Sequence, residues 1–353
     1  MLIVHERILV IVMFILVGCA APSVAQQPAP MPTRTLPSLV APTATPGPTA
    51  TPNAASPTTV RIPPYDQLVH VFDYDPHAPL DLQEQAARVL NGVNVHTISY
   101  RSPRGGRVPA LLVTPERPGR FAGILLQHGA PEGKEGPLPF AMDLAKAGAV
   151  VLLIDAPFAR PEHPNHTQPW VFTDQDRVEA IQMIVDLRRG VDLLSARADV
   201  EPTRIAYSGV SYGATMGGVL AGVEHRIKAY VLAMGGASLT AELTRVPAQR
   251  TYATFRSLPR EQQEHWLAAM EPLDAIHYVG HAAPVALFFQ AARQDEVVPE
   301  AEALRFQQAG SEPKRIKWYD MPHRLSWEAI LDQVAWLQEQ VGIDAHTFGV
   351  GGR

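Results

Sequence analysis

The chain has 353 residues, with 30 Lys and Arg against 35 Asp and Glu, a formal net charge of −5 and a single cysteine. That charge is spread without long runs, so a nucleic-acid partner, which needs a clustered basic face, is excluded. A lone cysteine excludes an intrachain disulfide, so the folded part must be held by its own core.

The first sixty or so residues do not read as globular. His5-Glu6-Arg7 is a short charged start, Ile8 to Val17 an apolar run, and Gly18-Cys19 a small-residue close. This is the layout of a secretory signal. The apolar run falls short of the roughly 20 residues a membrane span needs. Leu16-Val17-Gly18-Cys19 resembles the bacterial lipobox, which implies cleavage before Cys19 and lipidation of its thiol. The alternatives are an uncleaved anchor or cleavage near Ala25. Residues 20–64 are rich in Pro, Thr and Ala, as in Thr43-Ala44-Thr45-Pro46. Such a composition cannot offset its ordering entropy, so it reads as an extended tether. Residues 65–345 are expected to form the folded domain and residues 346–353 a flexible tail. The expected location is extracytoplasmic, on the bacterial cell membrane through the lipid.

Strands and helices then alternate. Val93–Tyr100 and Val108–Thr114 read as a hairpin across Arg104-Gly105-Gly106. Phe121–Gln127 and Ala149–Ile154 are continuous apolar runs, as in strands buried on both faces. Helices are expected at Leu138–Ala147 and at Asp176–Ala196, where Val178, Ile181, Ile184, Val185, Val191 and Leu194 recur at helical spacing. Arg204–Tyr207 is a strand, Tyr212–Val223 a small-residue helix and Ala229–Ala233 a strand. Residues 236–282 carry amphipathic pieces such as Arg260–Met270 and are expected to form a helical cap. Val285–Gln290, Pro299–Gln308, Arg315–Tyr319 and Ser326–Val341 complete the alternation, with Ser326 as a helix cap. The expectation is an α/β fold: a mostly parallel sheet of eight-stranded type with helices on both faces. Functional residues in such sheets stand at the carboxyl ends of strands.

Gly209-Val210-Ser211-Tyr212-Gly213 fits G-x-S-x-G between a strand and a helix, the context of a nucleophile elbow. The turn leaves no room for side chains at 209 and 213, and it exposes the Ser211 hydroxyl. A serine needs a base. Of thirteen histidines, His323 is best placed, in the loop between the last strand and the last helix. His225, His277 and His281 are weaker choices. Asp295, after the strand Val285–Gln290, is the expected carboxylate, with Glu296 its neighbour and rival and Asp320 a later choice. The order Ser, Asp, His follows. Oxyanion donors are expected at the backbone N–H of Tyr212 and of Ala130, with Gly129 as the alternative. His128 reads as structural, and with His163 and Trp170 it is a candidate for the pocket lining. His163-Pro164-Asn165-His166 has no spaced acidic partner, and catalytic zinc needs three protein ligands; neither a metal nor a cofactor is expected.

These pieces together make residues about 90–342 resemble the α/β-hydrolase superfamily. The resemblance is to its dienelactone hydrolase, acetyl xylan esterase and prolyl-oligopeptidase-like branch. It rests on Gln127-His128-Gly129, Asp155-Ala156-Pro157, Asp199–Arg204 leading into the elbow, Asp295-Glu296-Val297-Val298-Pro299, and His323. It implies a serine esterase acting on a small-molecule ester. Position 211 is serine where dienelactone hydrolases carry cysteine, and residues 20–92 are too few for the propeller of the oligopeptidases. A peptidase or amidase with the same three residues remains an alternative, as does a non-catalytic surface binding protein on the same scaffold.

Overall fold

Four runs of the chain have no polar side chain facing solvent, and they make the centre of the sheet. In the computed structural model, which describes residues 62–163, 168–245 and 250–348, these are β4 (Phe121–Gln127), β5 (Ala149–Ile154), β7 (Ala229–Ala233) and β8 (Ala286–Ala292), buried along their whole length. A strand buried on both faces must be covered by helices on both, which is why these sequences do not alternate. Around them stand β1 (Gln83–Leu90), β2 (Val93–Arg101), β3 (Arg107–Pro115), β6 (Val200–Val210) and β9 (Lys314–Tyr319). The order across the sheet is β1-β2-β3-β5-β4-β6-β7-β8-β9. The first three strands are antiparallel, and every pair from β5 to β9 is parallel. This is the fold class the sequence implies, with one strand more than the eight expected. That strand, β1, is exposed along nearly all of its length.

The helices are α1 (Tyr65–Leu68), α2 (Leu138–Lys146), α3 (Asp174–Ser195), α4 (Tyr212–Val223), α5 (Leu239–Arg245), α6 (Arg250–Ser257), α7 (Arg260–Met270), α8 (Glu300–Ala309) and α9 (Trp327–Val341). Two apolar clusters lie on the two sheet faces. The larger includes Leu125, Leu152, Tyr207 and Leu232 of the sheet with Ile184, Leu187 and Leu220 of α3 and α4. The smaller joins Ile124, Leu126, Val151 and Leu153 to Leu144 of α2 and to Val334 and Leu337 of α9. At about 25 cal/mol per Å2, such burial is the main stabilising contribution. Residues 236–282 hold α5, α6 and α7, and Trp266 of α7 donates its indole N–H to Asp176 of α3 at 2.7 Å. Ser326 caps α9 by accepting from the Ala329 N–H.

The signal segment, Cys19, residues 20–61 of the tether, Asn165, His166 and residues 349–353 lie outside the described residues. Residues 346–348, assigned above to the tail, behave differently from a free end. Ala345–Thr347 is a 3-10 turn, and Phe348 is buried against Phe140 and Trp327. Among the described residues no helix is long and apolar enough to cross a membrane.

Candidate active site

The turn between β6 and α4 forces Ser211 into φ 54, ψ −116, a backbone conformation that L residues rarely adopt. Its N–H donates to the Ala233 carbonyl at 2.8 Å, which ties the strained turn to β7. The flanking glycines are sterically required. A Cβ at position 209 would stand 2.5 Å from the Gly213 carbonyl oxygen, and one at 213 would stand 2.7 Å from the Gln127 oxygen. Strain of this kind persists only where the surroundings enforce it, and it clusters at functional sites.

Three side chains from three strand-end loops converge here. Ser211 Oγ is 2.8 Å from His323 Nε2. His323 Nδ1 is 2.8 Å from both oxygens of Asp295. The carboxylate is 5% exposed and the imidazole 13%. Asp295 Oδ1 also accepts the N–H groups of Val297 and Val298, each at 2.8 Å, so its loop holds it independently of the histidine. Glu296 points elsewhere and accepts the His323 backbone N–H at 3.2 Å. Asp320 is exposed beside Arg293 at 3.6 Å. A hydroxyl bonded to an imidazole whose other nitrogen faces a carboxylate can be deprotonated as it attacks a carbonyl.

The other side of the site is the loop after β4. Gly129 passes so close to Ser211 that a Cβ on it would stand 3.1 Å from the serine Cβ. Ala130 follows and borders the cleft. The Tyr212 N–H is at the first position of α4, where no preceding helical turn offers an acceptor. The loop is anchored twice to the end of β5. Lys134 donates to Asp155 from its backbone N–H at 2.9 Å and from Nζ at 2.7 Å. The Ala156 N–H donates to His128 Nε2 at 3.1 Å.

Two of the expected lining residues are not in the cleft. The His128 ring is wholly buried. Since Nε2 accepts from Ala156, Nδ1 carries the proton and donates to the Gly129 carbonyl at 2.8 Å. Burial pushes its pKa below the ordinary histidine value, so the ring is a neutral strut. His163 turns to Glu179, 3.4 Å away, and borders a separate hollow with Arg160 and Gln182. Trp170 does line the cleft, with its ring tilted on that of Tyr212 at 5.7 Å. His277 and His281 lie in 3-10 turns, and His281 stacks on Tyr65 at 3.5 Å. His225 is exposed beyond the end of α4.

Asp155, named above only as part of a motif that carries the resemblance, pairs with Lys134 to hold the loop beside Ser211. Lys134, and Thr215, Leu239 and Met234 that line the serine's surroundings, were not singled out by sequence and carry no sequence signal. A separate hollow, of about 700 Å3 along Asp73–Asp75 and Arg101–Arg107, shares no lining residue with the cleft. Among the described residues no group of three or more His, Cys, Asp or Glu is arranged to hold a metal ion.

No protein-family model matches the chain, and no curated protein sequence matches it. Solved structures do. An acetyl xylan esterase from Paenibacillus sp. R4 superposes with a TM-score of 0.66 at 19% identity, covering 78% of this chain and 93% of that one. Acetyl xylan esterase 1 from Thermoanaerobacterium sp. JW/SL YS485 gives 0.67 at 15%, covering 80% and 96%. A cold-adapted esterase from an Arctic intertidal metagenomic library gives 0.52 at 17%, covering 73% and 99%. At such identities the likeness establishes the fold, which is that of the α/β-hydrolases.

Proposed function

We propose that this α/β-hydrolase-fold chain is a serine hydrolase that cleaves carboxylic esters through an acyl-enzyme. The observation that carries the reading is the unbroken hydrogen-bonded line from Asp295 through His323 to Ser211 at the end of β6. Ser211 Oγ attacks the ester carbonyl while His323 Nε2 takes its proton. Asp295 holds the ring with Nδ1 protonated and stabilises the imidazolium that forms. The carbonyl oxygen, now negative, accepts from the backbone N–H groups of Tyr212 and Ala130, with Gly129 as the alternative donor. His323 then gives its proton to the leaving alcohol, and water, deprotonated by the same imidazole, releases the acid.

That several structural neighbours are esterases favours an ester over an amide. The reading extends to location: the protein is exported and held at the bacterial membrane through a lipid on Cys19, supported by residues 1–19 alone. Steady-state hydrolysis of a p-nitrophenyl ester by the wild type and by Ser211→Ala tests the enzymatic part. Loss of turnover in a variant with an unchanged thermal transition is expected. Retained turnover would remove Ser211 from the chemistry.

A further inference from the structure

Ser211 stands where two hollows meet. One, of about 290 Å3, is walled by Trp170, Tyr212, Leu239, Val297 and Val298. The other, of about 280 Å3, is walled by Pro137, Phe140, Met234, Leu325 and Ile330. The residues common to both linings are Ala130, Ser211 and His323. These are the nucleophile, its base, and a residue of the loop that faces the developing oxyanion.

An ester has one group on each side of its carbonyl carbon. When that carbon is bonded to Ser211 Oγ, the two groups diverge, and a hollow stands on either side to receive them. Each is several times the ~30 Å3 share of a single water-sized group, so an acetyl methyl would leave its side nearly empty. Several polar groups at the back are already engaged, while the Gln127 amide bordering the second hollow is buried with neither Nε2 nor Oε1 hydrogen-bonded. Ser208 donates to Gln333 at 3.3 Å, Gln333 donates to Gln290 at 2.8 Å, and the Thr215 hydroxyl accepts the Gly236 N–H at 3.1 Å. The first hollow is bordered by one carboxylate, Glu242, and the second by Glu132 and Arg324, which are of opposite sign. Apart from Gln168 and Gln127, what remains is aromatic and aliphatic wall, the surface that gains most from covering apolar groups.

We propose that the substrates are carboxylic esters with an apolar group of several carbons on both sides of the carbonyl, one in each hollow. Acetyl esters of hydrophilic alcohols fit poorly. The inference rests on the serine-hydrolase reading and names the substrate class of that same site.

Two homologous series measured on the full chain test it: p-nitrophenyl esters from acetyl to octanoyl, and alkyl butanoates from methyl to hexyl. With about fourfold in kcat/KM for each methylene that enters a hollow, butanoyl should exceed acetyl by roughly fifteenfold. A similar rise should appear along the alkyl series. Leu239→Trp should flatten one series and Leu325→Trp the other. A preference for acetyl, a flat alkyl series, or both substitutions flattening the same series would overturn the two-sided site. The wild-type series decide the matter even if a variant does not fold. Fluorophosphonate labelling of the wild type at Ser211 separates the failures. A labelled protein without two-sided selectivity refutes the subsites alone, and an unlabelled one refutes the hydrolase reading beneath them.

Discussion

Replacing Asp295 with Asn changes one proton inventory and almost no shape. Oδ1 of Asp295 accepts the Val297 and Val298 N–H groups, so the amide oxygen of Asn must take that place and its NH2 must take the place of Oδ2. That NH2 then stands 2.8 Å from His323 Nδ1. Two donors cannot face each other, so the ring is driven to the tautomer with the proton on Nε2. In that tautomer Nε2, 2.8 Å from Ser211 Oγ, cannot accept the serine proton. Nδ1 is equally close to Oδ1, which leaves a minority of rings in the working tautomer. An exchange of this kind costs up to about 10^4 in kcat, and the residual route places the expectation at about 10^3 to 10^4. That is roughly 4 to 5.5 kcal/mol of transition-state stabilisation. Because both N–H bonds to the loop survive, the unfolding free energy should move by less than about 1 kcal/mol. Stopped and steady-state hydrolysis of a p-nitrophenyl ester, with urea unfolding alongside, measures both. A variant within tenfold of wild type would refute the assignment and turn attention to Glu296.

Gly213→Ala places a Cβ 2.7 Å from one backbone oxygen and 2.9 Å from another. Overpacking of this kind costs about 1–3 kcal/mol, read by denaturant midpoint, and displaces the loop beside Ser211 so that activity falls with stability. Asp274 is buried, which lifts its carboxyl from 3.8 to about 6 despite the bonds it accepts from Ser238 and Thr240. As pH rises from about 4 to 6 the unfolded chain releases this proton while the folded one keeps it, so the group subtracts stability across that window. Asp274→Asn should remove about 3 kcal/mol of that decline, seen as a flatter plot of unfolding free energy against pH; an unchanged plot would show that Asp274 titrates normally. Cys19→Ala should move the protein from the membrane fraction to the soluble extracytoplasmic fraction, and continued membrane association would refute the lipid anchor.

The parts of the molecule that were readable in the sequence are those where burial leaves a linear mark. β4, β5, β7 and β8 are apolar runs because both faces are covered, and α3 keeps its helical period because one face meets the sheet. β1 left no mark: Gln83-Glu84-Gln85 and their successors are exposed and held by backbone pairing with β2, which needs no apolar pattern. β6 begins earlier than its apolar part: Val200 already pairs with Phe121, and Glu201-Pro202-Thr203, which carry no apolar run, stand between Val200 and Ile205. At the site, Ser211, Asp295 and His323 were legible because each follows a strand, and glycines frame the first. Whether His128 and His163 face a cleft or a buried partner depends on Ala156 and Glu179, which are distant in sequence. The two-sided shape around Ser211 depends on walls from α2, α5 and α9, and no local pattern announces it.

The central claim is that Ser211 is an activated nucleophile. A fluorophosphonate phosphonylates such an oxygen with loss of fluoride, and it leaves ordinary serines untouched. Peptide mass mapping after labelling should find one added phosphonate, on Ser211, in the wild type and none in Ser211→Ala or, at matched time, in His323→Ala. Labelling that persists in Ser211→Ala, or a folded wild type that takes no label, would contradict the account.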